Sequence, residues 1–230
     1  MKKLLPVLIA VLALAAVPAK ATTCVPGNMG SSSYGAAGFT CTIGSLTFSN
    51  FLTNISGSIQ PPAAGVTVTP ITTAPDGFTF NPALGVSNTG GGYQVSDVTI
   101  YYTISGPGID DLDLGFNGAY SGTGMTDVSE LWCLNAATLV GCSGANAGLI
   151  SVSNPPPVYN NTITFAAPVS MVSVAKDMLV DTGSGIGGAS ITSVTNNYSQ
   201  VPESASLTLL GLGLLGLAVA KRSKLGQLSL

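Results

Sequence analysis

Apolar and small polar residues alternate at period two along most of the chain, and no stretch sustains the spacing of an amphipathic helix. Leu46-Thr47-Phe48-Ser49-Asn50-Phe51-Leu52 alternates in this way, as do Val66-Thr67-Val68-Thr69 and Phe78-Thr79-Phe80. Val98 to Ile104, within Tyr93–Ser105, predicts a long strand, and Leu112 to Phe116 resumes the pattern after a Gly106-Pro107-Gly108 turn. Further strands are expected at Val128–Leu134, Leu149–Val152, Thr162–Phe165, Val169–Val180 and Ala189–Tyr198. About ten short strands separated by Gly, Ser, Asn and Pro predict an all-β fold, an antiparallel β-sandwich of jelly-roll or immunoglobulin-like type. Pro61-Pro62 and Pro155-Pro156-Pro157 mark loops, the second a candidate stiff connection between two halves.

Two segments break the alternation. Lys2 and Lys3 precede an apolar run from Leu4 to Val17, and Ala19-Lys20-Ala21 supplies the small residues of a cleavage site. Its 14 residues fall short of the roughly 20 that span a bilayer, so residues 1–21 read as a signal peptide. Near the other end, Leu207 to Ala220 is apolar on every face and is followed by Lys221-Arg222-Ser223-Lys224. Counted from Ala205 it gives about 24 Å of helix against a hydrocarbon core of about 30 Å. A membrane helix over 205–220, with residues 225–230 as a short cytoplasmic tail, leaves residues 22–200 outside the inner membrane.

Val201-Pro202-Glu203, the Leu/Gly-rich run and the cations Lys221 and Arg222 together resemble a PEP-CTERM sorting domain, over residues 201 to 224. In this chain Ser204 stands where that signature has its second proline, and Leu225 to Leu230 extend past the cations. The resemblance implies recognition by an exosortase-type sorting enzyme at the inner membrane, then display at the cell surface or release outside the cell. Cys41-Thr42-Ile43-Gly44-Ser45-Leu46-Thr47-Phe48-Ser49-Asn50-Phe51 also resembles the opening of an ectodomain type found among PEP-CTERM proteins. That second resemblance implies a fold and a compartment but no reaction.

Charge sharpens the picture. The chain holds seven Lys+Arg, ten Asp+Glu and no histidine, and only 7% of it is charged, against roughly a quarter in ordinary soluble domains. Six of the cations lie in the two end segments. Residues 22–200 keep one, Lys176, against nine acids, a formal charge of −8. Nucleic acid as a partner is excluded, because phosphate neutralisation needs a basic footprint. Histidine-based acid–base catalysis and histidine-ligated metal sites are excluded as well.

The remaining candidates for chemistry are few. Cys24, Cys41, Cys133 and Cys142 are even in number in an exported segment, which predicts disulfides. Of three connectivities, Cys24–Cys41 with Cys133–Cys142 is favoured by proximity, with residues 133–142 read as a hairpin tied at its far ends. Asp110, Asp111 and Asp113 after Gly106-Pro107-Gly108 are a candidate Ca²⁺ site, weighed against an ordinary turn whose aspartates cap backbone N–H groups. Asp127 and Glu130 are the nearest thing to a glycosidase carboxylate pair, yet three positions apart on a strand they point to opposite faces. Gly183 to Gly188 has no P-loop lysine and reads as a turn.

The sequence therefore predicts an exported protein with no enzymatic activity and no cofactor unless calcium binds. Its work is structural or adhesive, in an extracellular matrix and in association with extracellular polysaccharide. The alternative is a carbohydrate-binding module using Trp132 or the surface tyrosines Tyr93, Tyr101 and Tyr102 as stacking platforms. A two-carboxylate glycoside hydrolase is a third reading.

Overall fold

The computed structural model describes residues 22–201. The expected signal peptide and the sorting residues Pro202, Glu203, Lys221 and Arg222 lie outside the described residues. Twelve strands follow in chain order: β1 (Thr22–Thr23), β2 (Gly27–Asn28), β3 (Thr40–Ile43), β4 (Leu46–Gly57), β5 (Thr67–Ile71) and β6 (Asp76–Asn81), then β7 (Leu84–Asn88), β8 (Val95–Gly122), β9 (Met125–Leu134), β10 (Ala147–Asn154), β11 (Asn160–Asp181) and β12 (Gly187–Tyr198). Among the described residues the only helical elements are two 3-10 turns, Ala63–Gly65 and Gly144–Asn146.

All twelve strands belong to one hydrogen-bonded sheet that curls back on itself into two layers. The first half of β8 lies between β4 and β11, with β9 and then β10 beyond β11 and β3 beyond β4. The second half of β8 lies in the other layer, between the start of β11 and β12, and β12 leads on to β6, β5 and β2. Every pairing is antiparallel except the short β1–β3 contact.

β8 is one continuous strand where the sequence predicted two joined by a turn. Gly106 and Gly108 bend it without breaking it. Gly108 takes φ +62°, which a side chain disfavours, and a Cβ on Gly106 would lie 2.8 Å from Leu46. Facing the bend, β11 shifts register between Thr164 and Val169, so its two expected strands are likewise one. Strands that cross from one layer to the other at such corners are how a sheet folds onto itself.

Alternation decides what goes inside. On β8, Val98, Ile100, Tyr102 and Ile104 point inward, as do Leu112, Leu114 and Phe116 past the bend. Phe48, Phe51, Phe78, Phe80, Tyr102 and Tyr198 meet across the layers; Phe48 and Phe78 stand 4.6 Å apart edge to face. Burying each such ring stabilises the fold by about 1.5–3 kcal/mol before entropy is counted.

Both disulfides form as the local pairing predicts, Cys24–Cys41 and Cys133–Cys142. Residues 133–142 are not a hairpin, however. β9 ends at Leu134, β10 begins at Ala147, and Cys133 is paired with Ala147. The second disulfide instead closes a loop inside the β9–β10 connection. Pro155-Pro156-Pro157 is likewise a tight turn between β10 and β11, not a connection between halves. Ser153 and Val158 exchange backbone hydrogen bonds across it.

Candidate functional site

The outer face of the second layer is built from the positions that alternation turns away from the core. β8 contributes Asp113, Gly115 and Asn117, β12 contributes Ser193, Thr195 and Asn197, and the start of β11 contributes Asn160, Asn161 and Thr162. Together they line a groove of about 390 Å³. Gly115 keeps its floor open, since a Cβ there would sit 2.8 Å from Asn160 Oδ1. Thr162 Oγ1 donates to Asp113 Oδ1, and Asn161 Nδ2 donates to Ser151 O at 3.0 Å. Asn197 Oδ1 is buried without a hydrogen-bond partner. The wall is therefore amides and hydroxyls with the one carboxylate of Asp113, donors and acceptors at close spacing.

A second cleft, about 670 Å³, opens on the outer face of the first layer. Leu52, Tyr101 and Thr103 form its floor, and its walls come from the two disulfide-closed loops, Ala36–Phe39 on one side and Ala137–Val140 on the other. The second loop is held down by Ser173 Oγ donating to Ala136 O at 2.6 Å and Thr103 Oγ1 donating to Ala137 O at 3.2 Å. Val140, at its tip, is 90% exposed.

The stacking residues expected from sequence are largely withdrawn by burial. Tyr102 is 2% exposed and bonds Tyr198 inside the core; Trp132 is 8% exposed, packed on Phe165 and over Gly148. Both sit at inward positions of their strands, with little ring surface left to stack on. Tyr101, at the next outward position, is half-buried in the cleft floor. Tyr93, also expected as a platform, is exposed, as are Tyr120 and Tyr159.

Asp110, Asp111 and Asp113 are not gathered as predicted for calcium. They lie on β8 past its bend, where Asp111 Oδ1 accepts from Ser199 N at 2.8 Å and Asp113 is engaged by Thr162. Among the described residues no group of three or more His, Cys, Asp or Glu is placed to hold a metal ion. Asp127 and Glu130 are separated as their spacing requires: Asp127 faces out and Glu130 is wholly buried. Val201, the one sorting residue described, donates its N–H to Gly108 O at 2.8 Å.

The sequence missed two groupings. Lys176 is buried, not a surface charge, and its ammonium donates to Glu130 Oε2. Asn196 Nδ2 donates to the same oxygen at 2.8 Å. With Lys176 enclosed, the exterior of residues 22–201 carries no side-chain cation and eight aspartates. On the outer face of the first layer, the Asp177 carboxyl lies close to that of Asp97, and Thr99 Oγ1 donates to Asp177 Oδ1 at 3.0 Å. Partial burial first, then the proximity of Asp97 and the charge of Asp127, push the Asp177 carboxyl up to about 6. A lysine at an inward strand position is the one visible sequence signal for the first grouping. The second needs the β8–β11 register.

Two formed disulfides identify a domain that folds in an oxidising compartment, extracellular or periplasmic. The chain matches no family model and no curated protein. Among solved structures it is similar to the enzymatically active domain of bacteriophage CBA120 tailspike protein 4, at 16% identity and a TM-score of 0.30. That likeness covers 65% of this chain and 19% of the tailspike chain, so this protein spans only a small part of it. It is also similar to TmCBM61, solved in complex with beta-1,4-galactotriose, at 10% identity and a TM-score of 0.31 over 64% of this chain and 88% of that one. At these scores neither likeness bears on what the grooves bind.

Proposed function

We propose that this protein is an exported, non-enzymatic component of an extracellular matrix that contacts neutral polysaccharide through the groove of Asn117, Asn160 and Thr195. One observation supports this reading above others: the groove, lined mostly by amides and hydroxyls, lies on an exterior that carries no side-chain cation among the described residues. Sugar hydroxyls are matched by such side chains. Anionic polymers are repelled by eight aspartates, which sets the preference toward uncharged glycans. The reading includes sorting through Val201-Pro202-Glu203 by an exosortase-type enzyme, for which the sequence pattern alone is the support.

Affinity electrophoresis of the secreted protein through gels containing neutral or uronic-acid polysaccharides tests the groove. Retardation by a neutral polymer, lost in Asn117→Ala/Asn160→Ala, supports it. Equal mobility of both proteins in every gel removes it. Sorting is tested separately by fractionating cells that express Pro202→Ala/Glu203→Ala, which are expected to retain the protein in the membrane fraction.

A further inference from the structure

The core holds a combination that a sandwich of this kind has no packing reason to contain. Lys176 on β11, Glu130 on β9 and Asn196 on β12 are all wholly buried. Lys176 and Glu130 are cross-strand neighbours in the first layer, whereas Asn196 reaches them from the second. The amine and the carboxamide nitrogen both contact Glu130 Oε2, while Glu130 Oε1 and Asn196 Oδ1 have no hydrogen-bond partner. A buried ion pair seldom repays its desolvation, and apolar residues in its place would serve stability as well or better.

We propose that Lys176 and Asn196 condense into an intramolecular isopeptide bond, with Glu130 as the catalytic acid–base, which covalently joins the two layers. Glu130 takes a proton from the Lys176 ammonium, leaving a neutral amine. Burial pushes the lysine pKa down, against the opposing charge of Glu130, and this favours the transfer. The carboxamide of Asn196 turns about its Cβ–Cγ bond to present Oδ1 to the protonated acid, which polarises the carbonyl. Nζ attacks Cγ, and the Nζ–Cγ bond forms. Nζ then gives up a second proton as Glu130 delivers one to Nδ2. The Cγ–Nδ2 bond breaks and ammonia leaves. An ammonium, a carboxylate and a primary amide become a secondary amide, a carboxylic acid and ammonia, with atoms and charge conserved. No oxidant, metal or nucleotide enters the balance, and burial keeps water from hydrolysing the product.

The chain supplies its own assay. Lys176 is the sole Lys or Arg between Lys20 and Lys221, so trypsin has one cleavage site in the whole domain and cannot cut after an acylated lysine. The secreted protein, reduced and denatured, is expected to resist cleavage at residue 176. Its mass is expected to be about 17 Da below the sequence value, one ammonia lost. Fragmentation of a nonspecific digest should place that loss on a branched peptide carrying both Lys176 and Asn196. Glu130→Gln and Asn196→Ala should show full mass and cleavage at 176. Wild-type protein that keeps its full mass, or is cut at 176, overturns the proposal whether or not the variants fold. Loss of ammonia persisting in Glu130→Gln overturns the role of Glu130.

Discussion

Tyr102 and Tyr198 approach each other from opposite layers and share a hydrogen bond of 2.6 Å between their hydroxyls in the buried core. Desolvation holds both phenols neutral, pushed well above their ordinary value. Each hydroxyl is therefore the other's main compensation for leaving water. Tyr102→Phe should destabilise the fold by about 1–2 kcal/mol, because the Tyr198 hydroxyl is left buried and unpaired. Tyr102→Phe/Tyr198→Phe should cost less than the two single changes together. Urea unfolding of the four proteins measures this, and strict additivity would show that the pair is not coupled.

The two disulfides divide in a predictable order. Loop-closure entropy assigns about 3 kcal/mol to Cys24–Cys41 and about 2.5 kcal/mol to Cys133–Cys142, from separations of 17 and 9 residues. Cys24 and Cys41 are both buried, while Cys142 is only partly covered. Mild reductant should open Cys133–Cys142 first. Thiol labelling with mass spectrometry reads the order directly. The apolar cleft should change with it, since Ala137–Val140 form one of its walls.

Period-two alternation made most strands legible, because it reports which face of a strand is buried, and the buried face here is continuous. It failed at the corner. Gly106-Pro107-Gly108 looks the same in sequence whether a chain reverses or merely bends, and only pairing with β11 across the register shift keeps β8 going. The same locality explains Trp132 and Tyr102. A strand aromatic is a platform or a core residue according to parity, and parity is fixed by partners distant in sequence. Disulfide pairing was legible because proximity in sequence favoured it. The Lys176–Glu130–Asn196 cluster was not, since its members come from three strands and meet only when the layers close.

Trp132 is the chain's one tryptophan, so its fluorescence reports a single environment. Packed on Phe165, it should emit at the short wavelengths of a buried indole, and glycan binding should leave that emission unchanged. A Cβ on Gly148 would lie 2.2 Å from the indole ring. Gly148→Ala should displace the ring, shift the emission to longer wavelength and destabilise the fold by about 1–3 kcal/mol. Emission that responds to polysaccharide but not to Gly148→Ala would return Trp132 to the surface.

Asp177 gives the fold an unusual dependence on pH. Its carboxyl is pushed from 3.8 to about 6 in the folded protein by partial burial and by the neighbouring Asp97 and Asp127. Between these two values the folded state holds a proton that the unfolded chain has released, so stability falls as pH rises through this window. The protein should therefore melt at higher temperature at pH 5 than at pH 7, the reverse of a domain held by paired carboxylates. Burial raises the carboxyl of Asp127 too, and it adds a slope of the same sign. Asp177→Asn removes the charge yet keeps an oxygen for Thr99 and offers an N–H to Asp97. It should raise the melting temperature at pH 7 and flatten the change between pH 5 and 7. Since Asp177 is only half-buried, salt should shrink the wild-type slope as well. A variant that melts at or below the wild-type temperature at pH 7 would show that Asp177 is not the strained carboxylate.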